Sequence, residues 1–137
     1  MFRLQSEPIR VEELTHETRG DGDGAVALFL GTVRDHNMGR EVLQLEYHAY
    51  AEMAGAEMAR IEAEARERFP VSRIAVVHRV GRLDVGETAV AVAVSSAHRA
   101  AAFDACRWIM DTVKVRLPLW KKEHFRGGET WIEPSGV

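Results

Sequence analysis

Between residues 98 and 123 the chain carries cations at both ends of a stretch with helical periodicity: His98 and Arg99 at its start, Lys114, Lys121 and Lys122 toward its end, and Glu123 closing the run. That layout suits an anion, such as a phosphate or a carboxylate. Ser95 and Ser96 precede the stretch, where a hydroxyl can cap free backbone N–H groups, and neither Gly nor Pro interrupts it until Pro118 stops the helix. The first turn of a helix bears partial positive charge and unpaired N–H donors, so cations there repel the dipole unless an anion sits opposite. The alternative is that Arg99 points into water or pairs with a surface carboxylate. With His98 sharing the position, both readings stay open.

At about 100° per residue, with Phe103 as origin, Cys106, Met110, Val113 and Leu117 form one apolar stripe that Ala102 and Ile109 widen. Lys114 falls about 20° from Phe103, on the flank of the stripe and beside Arg107, which predicts partial desolvation of its ammonium. Burial and a neighbouring cation both push a lysine pKa down, toward a readily deprotonated amine. A salt bridge to Asp111 is the other reading, and spacing does not choose between them. Cys106 is the one cysteine; it excludes an internal disulfide and, lying on the stripe rather than at a helix start, reads as an inert core thiol. The histidines at 16, 36, 48, 78, 98 and 124 show no paired ligand spacing, so no metal site is expected; as a separate reading, no cofactor is expected.

The elements that must position these residues are legible in outline. Phe2 to Gln5 is extended, Val11 to Thr18 is a short helix, and Gly20 to Gly24 is a loop by composition. Ala25 to Val33 is continuously apolar and predicts a buried strand. Val42 to Tyr47 alternates Leu43, Leu45 and Tyr47 against Gln44 and Glu46, a strand with one wet face, and the two strands are expected to pair as a hairpin. The loop between them, residues 31 to 40, carries Arg34 within reach of a ligand.

Tyr50 to Phe69 predicts an amphipathic helix with Ala54, Met58, Ile61 and Ala65 inward; Glu62 with Arg66 and Glu64 with Arg68 form outward pairs assigned to solvent. Arg73 to Val80 and Glu87 to Ser95 are strands with a turn marked by Gly81 and Gly86, the second covered on both faces. Trp120 to Phe125 and Thr130 to Glu133 read as edge strands around Gly127 and Gly128. The order predicts a single α+β domain spanning residues 1 to 137, with a largely antiparallel sheet and two main helices packed on it.

Composition bounds the function. The chain has 137 residues, 46% hydrophobic and 28% charged, with a formal charge of −3 that argues against a general nucleic-acid binder. No apolar run of about 18 residues suggests a membrane span, and the first residues lack the apolar core of a signal peptide, so the expectation is a cytoplasmic protein with no membrane or nucleic-acid partner. RNA binding on a sheet would need exposed aromatics on adjacent strands, where the sequence offers few, Phe29 and Tyr47. No Gly-rich nucleotide loop precedes a helix.

Five motifs in order, Gly31-Thr-Val-Arg34-Asp-His-Asn37, Leu45-Glu46-Tyr47-x-x-Tyr50-x-x-Met53, His78-Arg79-Val80-Gly81, Ser95-Ser96-Ala-His98-Arg99 and Asp111-x-x-Lys114-x-x-x-Pro118-x-Trp120-Lys121-Lys122-Glu123, resemble the MoaE family, the large catalytic subunits of molybdopterin synthase. The resemblance runs from about Gly24 to Glu133 and implies the hammerhead α/β fold of that family. It also implies a sulfurtransferase of molybdenum cofactor biosynthesis, with no metal of its own, that places two sulfurs on cyclic pyranopterin monophosphate to form the molybdopterin dithiolene. Sulfur would arrive as the thiocarboxylate on the C-terminal Gly-Gly tail of a small ubiquitin-like, MoaD-like subunit. Carried over by position, Thr32, Val33, Arg34, His98 and Arg99 match residues that bind substrate and its phosphate. Lys114 and Lys121 match the catalytic lysines and also bind substrate, with Lys122 and Glu123 completing the segment. Arg40 stands where some relatives carry an acid, and the segment after Trp131 is short.

His98 and Lys114 are sixteen residues apart, about 24 Å along one helix and about 160° around it. If both touch one substrate, the simplest solution is a two-fold homodimer with a shared site, and with two small subunits a heterotetramer. The competing reading is a non-catalytic binding module for a phosphorylated metabolite or a protein tail; a lysine on the flank of the apolar stripe is the feature such a module does not need.

Overall fold

The Ala/Val alternation expected to be covered on both faces lies at the heart of the molecule. The structure, a computed structural model, describes residues 1–132. Its elements in chain order are β1 (Phe2–Gln5), α1 (Val11–Thr18), β2 (Ala25–Thr32), β3 (His36–Asn37), β4 (Arg40–Ala49), α2 (Ala51–Arg68), β5 (Arg73–Arg79), β6 (Gly81–Asp84), β7 (Thr88–Ser96), α3 (Arg99–Arg116), β8 (Leu119–Phe125) and β9 (Gly128–Ile132). Glu133, the expected end of the last strand, lies outside the described residues.

A first sheet runs β1-β5-β7-β2, antiparallel except for the parallel β1–β5 pair. Along β7, Val90, Val92 and Val94 face the layer of α2 and α3, where they meet Met58, Ile61, Ala105 and Ile109. Ala91 and Ala93 point to the other face, under Leu14 of α1. Small side chains on that face let a two-turn helix lie close, and branched ones on the other fill the space beneath two long helices. Arg116 of α3 ties the two long helices together by pairing with Glu57 at 2.6 Å and Glu64 at 2.5 Å of α2. Glu64 is thus drawn to the neighbouring helix rather than left to solvent, while Arg68 lies over the Trp108 ring.

The expected hairpin between Ala25 to Val33 and Val42 to Tyr47 does not form. β2 pairs with β7, and β4 belongs to a second sheet, ordered β3-β4-β8-β9 with β6 also on β4. The strands differ in what they need: β2 is apolar on both faces and joins the helix-covered layer, whereas Gln44 and Glu46 of β4 require water on one side. The hairpin that does form is β3–β4, closed by Met38 and Gly39, both at positive φ (51° and 78°), as a tight two-residue turn demands. A bulge between Val42 and Gln44 turns Leu43 outward, so the buried face of β4 reads Val42, Leu45, Tyr47. Between Gly81 and Gly86, where a simple turn was expected, the chain instead inserts β6, which docks on β4.

Three further expectations are corrected. β2 sits at the sheet edge, leaving Leu28, Phe29 and Leu30 37–40% exposed rather than buried. In α3 the buried face is Ala102, Ala105, Cys106, Ile109 and Val113, with Leu117 just beyond; Met110 is half-buried and Phe103 is 64% exposed. The packed stripe is therefore rotated away from Phe103, which joins Leu28, Phe29 and Met110 along an open apolar cleft. Ser95 and Ser96 end β7 instead of capping α3: Ser95 Oγ accepts from the Arg73 N–H, and Ser96 Oγ donates to the His98 carbonyl. Among the described residues, no helix is long and apolar enough to cross a membrane.

Ile109 is fully buried between α3 and the sheet. Ile109→Ala should lower unfolding free energy by about 2–5 kcal/mol in denaturant titration; a loss below about 1 kcal/mol would mean that this layer is not tightly packed.

Candidate active site

The site is built on the pairing of β4 with β8. Tyr47 lies directly opposite Lys121, and Leu45 directly opposite Glu123, so all four side chains share the inner face of the second sheet. Lys122, one residue on, falls on the outer face with Glu46, where it pairs with Glu129 at 2.9 Å and lies over Trp131. Period-two geometry thus separates the two adjacent lysines: Lys121 enters the site and the Lys122 side chain does not.

Lys121 is half-buried, and its pKa is pushed down first by that burial, then by the Lys114 charge and more weakly by Arg34, while Glu123 pulls the other way. Lys114 comes from the last turn of α3 and Arg34 from the segment linking β2 to β3. One chain therefore gathers Arg34, Lys114 and Lys121 around a single point. Among the described residues none of these cations forms an ion pair. Lys114 itself is exposed, in place of the expected partial desolvation, because the buried stripe is rotated from it; Asp111, its candidate partner, faces Arg107 at 3.8 Å instead. The half-buried lysine of this site is Lys121.

Two clefts meet at Tyr47 and Lys121. The first, of about 110 Å³, is lined among others by His78, Met110, Lys114 and Trp120. The second, of about 80 Å³, is lined by Thr32, Arg34, His36, Asn37 and Glu123. Glu123 is 2% exposed and accepts from Asn37 Nδ2 at 2.8 Å and Arg40 Nη2 at 3.4 Å, so it fastens the β3–β4 hairpin onto β8 and fixes the approach of Arg34. Val33 is buried, and its backbone is bonded to Glu87 and Gly86; Thr32 is exposed at the end of β2.

His98 and Arg99 sit exposed at the opposite end of α3, which runs unbroken from Arg99 to Arg116. A single chain does not bring them to Lys114. Cys106 is buried, donates weakly to the Val92 carbonyl at 3.6 Å, and burial pushes its pKa up to about 11, which suits an inert core thiol.

Tyr47 and His78 line the lysine cleft but carried no assigned role in the sequence. The His78 ring packs edge-on to Tyr47 with centroids 4.9 Å apart. The signal for Tyr47 was its place on the inward phase of β4; His78 sits within an apolar strand, where a histidine has the appearance of core.

A cluster of unpaired cations around a half-buried lysine calls for an anionic ligand and can stabilise negative charge that develops in a reaction. Comparison with known proteins identifies the family. The family model described as MoaE protein matches residues 4–116. The molybdopterin synthase catalytic subunit of Pyrococcus abyssi is 48% identical over 127 residues, 93% of this chain and 86% of that one. Among solved structures, molybdopterin synthase from Staphylococcus aureus superposes with a TM-score of 0.91 at 37% identity, covering 95% of both chains. A chain of the protein–protein complex of subunits 1 and 2 of molybdopterin-converting factor from Helicobacter pylori shares the fold, with a TM-score of 0.80 at 16% identity and coverage of 96% and 90%. From a matched family model over most of its length and relatives this similar, the chain belongs to the MoaE family.

Proposed function

We propose that this chain is the catalytic subunit of a molybdopterin synthase, a sulfurtransferase that moves sulfur from the C-terminal thiocarboxylate of a small ubiquitin-like, MoaD-like subunit onto cyclic pyranopterin monophosphate. The observation that carries this reading is the convergence of Arg34, Lys114 and Lys121, without carboxylate partners among the described residues, around two adjoining clefts. A thiocarboxylate and a phosphorylated pterin are both anions, and two clefts sharing one lysine can hold donor and acceptor side by side.

In sulfur transfer the thiocarboxylate sulfur adds to a carbonyl carbon of the substrate as the C=O π pair moves onto oxygen. That oxygen takes up a proton and leaves as water with the loss of a proton from the neighbouring carbon, so the new C–S bond replaces a C–O bond with no change of oxidation state. Water then adds to the acyl carbon and the acyl–sulfur bond breaks, leaving sulfur on the pterin and a carboxylate on the carrier. Lys114, exposed at the mouth, holds the thiocarboxylate and offsets charge in the tetrahedral adduct. Lys121 suits proton transfer, since burial and neighbouring cations have already moved its pKa toward the working range. Thr32 and Val33 flank Arg34 on the substrate side, Glu123 positions that loop, and Lys122 contributes to the segment through its backbone.

His98 and Arg99 serve this site from a second copy. The unbroken α3 keeps them from their own chain's lysines, and the open patch of Leu28, Phe29 and Phe103 adjoins Lys114, so a partner seated there approaches the lysine cleft. With one small subunit per site the assembly is a heterotetramer. This reading places the protein in the cytoplasm, where the unpaired Cys106 thiol is at home.

Incubation with a thiocarboxylated small subunit and cyclic pyranopterin monophosphate should yield dithiolene product, and Lys114→Ala and Lys121→Ala should each lower the rate by about 10²-fold or more; near-normal turnover in both variants removes the assignment. Mixing Arg99→Ala chains with Lys114→Ala chains should restore about one working site per heterodimer, and no recovery would refute sharing. Lys114→Met removes a cation that holds the Lys121 pKa down, so the Lys121 amine, followed by NMR, should titrate at higher pH than in the parent. An unchanged titration would place Lys114 too far away to act on it.

A further inference from the structure

The lysine cleft holds one polar side chain that the mechanism above does not use. His78 lies near the end of β5, almost wholly buried, and its Nδ1 is 2.7 Å from the Arg79 carbonyl oxygen. A carbonyl can only accept, so Nδ1 carries the proton and Nε2 is left with a lone pair. The Tyr47 ring fixes the imidazole from the side, and Tyr47 is the direct cross-strand neighbour of Lys121. His78, Tyr47, Lys114 and Lys121 all line the same cleft.

We infer that His78 is a positioning residue for Lys121: held as a neutral imidazole, it presents its Nε2 lone pair to the Lys121 ammonium across the cleft and orients it without cancelling its charge. The inference rests on the sulfur-transfer reading for what the oriented lysine does.

The charged and titratable groups facing His78 support a neutral ring. Lys121 approaches from β8, Lys114 from α3 and Tyr47 from β4, and the Arg79 carbonyl is the acceptor on its own strand. Burial, together with the Lys121 charge, pushes the His78 pKa down to about 4, so the ring is uncharged at neutral pH. Tyr47, pushed up to about 12 by burial, is uncharged as well.

A carboxylate in the place of His78 would also orient the lysine, but it would form an ion pair and raise the lysine pKa, away from the range that proton transfer by Lys121 uses. Glu123, on the same face of β8, is engaged by Asn37 and Arg40. A neutral acceptor gives direction while leaving the positive charge available.

The test compares the parent with His78→Phe, which keeps ring volume and the contact with Tyr47 but has no acceptor, and His78→Gln, whose amide oxygen reaches near the Nε2 position. In the complex with the thiocarboxylated small subunit, His78→Phe should lower kcat about tenfold with KM within about twofold. It should also move the alkaline limb of the pH profile to lower pH, because an acceptor that favoured the ammonium is gone. His78→Gln should recover most of the rate. A parent-like rate and limb in His78→Phe would overturn the inference, as would equal losses in both variants accompanied by lowered melting temperatures.

A second readout uses the unaltered residue. In protein labelled with 15N-histidine, His78 should show the Nδ1-protonated tautomer across neutral pH, and Lys121→Met should shift its Nε2 resonance while leaving that of the remote His16 on α1 in place. An Nε2-protonated ring, or an Nε2 insensitive to Lys121, overturns the proposal even if a variant fails to fold. If the parent complex makes no dithiolene product, the sulfur-transfer reading fails, and these resonances still judge the contact.

Discussion

The pairing of β4 with β8 is the constraint on which the site depends. It sets Tyr47 against Lys121 and Leu45 against Glu123, and a slip of one residue would exchange Lys121 for Lys122 on the inner face. Register is held from both sides. The apolar inner face of β4 packs Val42 and Leu45 with Val33, Leu83 and Ala89, while Glu123 locks onto Asn37 and Arg40 across the hairpin. The same carboxylate that fixes register thereby fixes the route of the Arg34 loop.

Gathering Arg34, Lys114 and Lys121 is unfavourable in isolation, since like charges repel and Lys121 gives up part of its hydration. The fold tolerates it because each cation comes from a separately anchored element: the end of α3, the strand β8 and the loop after β2. α3 is held by the Ala102, Ala105, Ile109 face and by Arg116 bridging Glu57 and Glu64, so its final turn does not drift away from Lys121. An anion bound among the three cations would relieve that repulsion. Charge complementarity and prior organisation act together.

Local patterns were legible wherever a segment's own periodicity matched its packing. Ala54, Met58, Ile61 and Ala65 are the buried residues of α2, the Ala/Val alternation of β7 is covered on both faces, and Pro118 follows directly on the C-cap of α3. Misreadings arose where a segment's neighbours decide its exposure. β2 has the apolar run of a central strand yet lies at an edge, and Phe103 has the phase of a core residue yet faces an open cleft shared with β2. Adjacent strands in sequence were expected to pair, but the wet face of β4 sends it to the second sheet.

The sequence by itself determined the inventory: a phased helix with basic ends, a lysine pair after Pro118, an arginine in a turn-rich loop, and the spacing of motifs that marks the family. Helix phase and strand alternation are local properties, so they survive without knowledge of distant contacts. Tertiary structure alone decided that Lys121 rather than Lys114 is the half-buried amine, that Lys122 turns away, and that His78 and Tyr47 line the same cleft as Lys121. Burial and mutual charge depend on which strands become neighbours, and that is settled by pairing between segments some seventy residues apart, where no local pattern reaches.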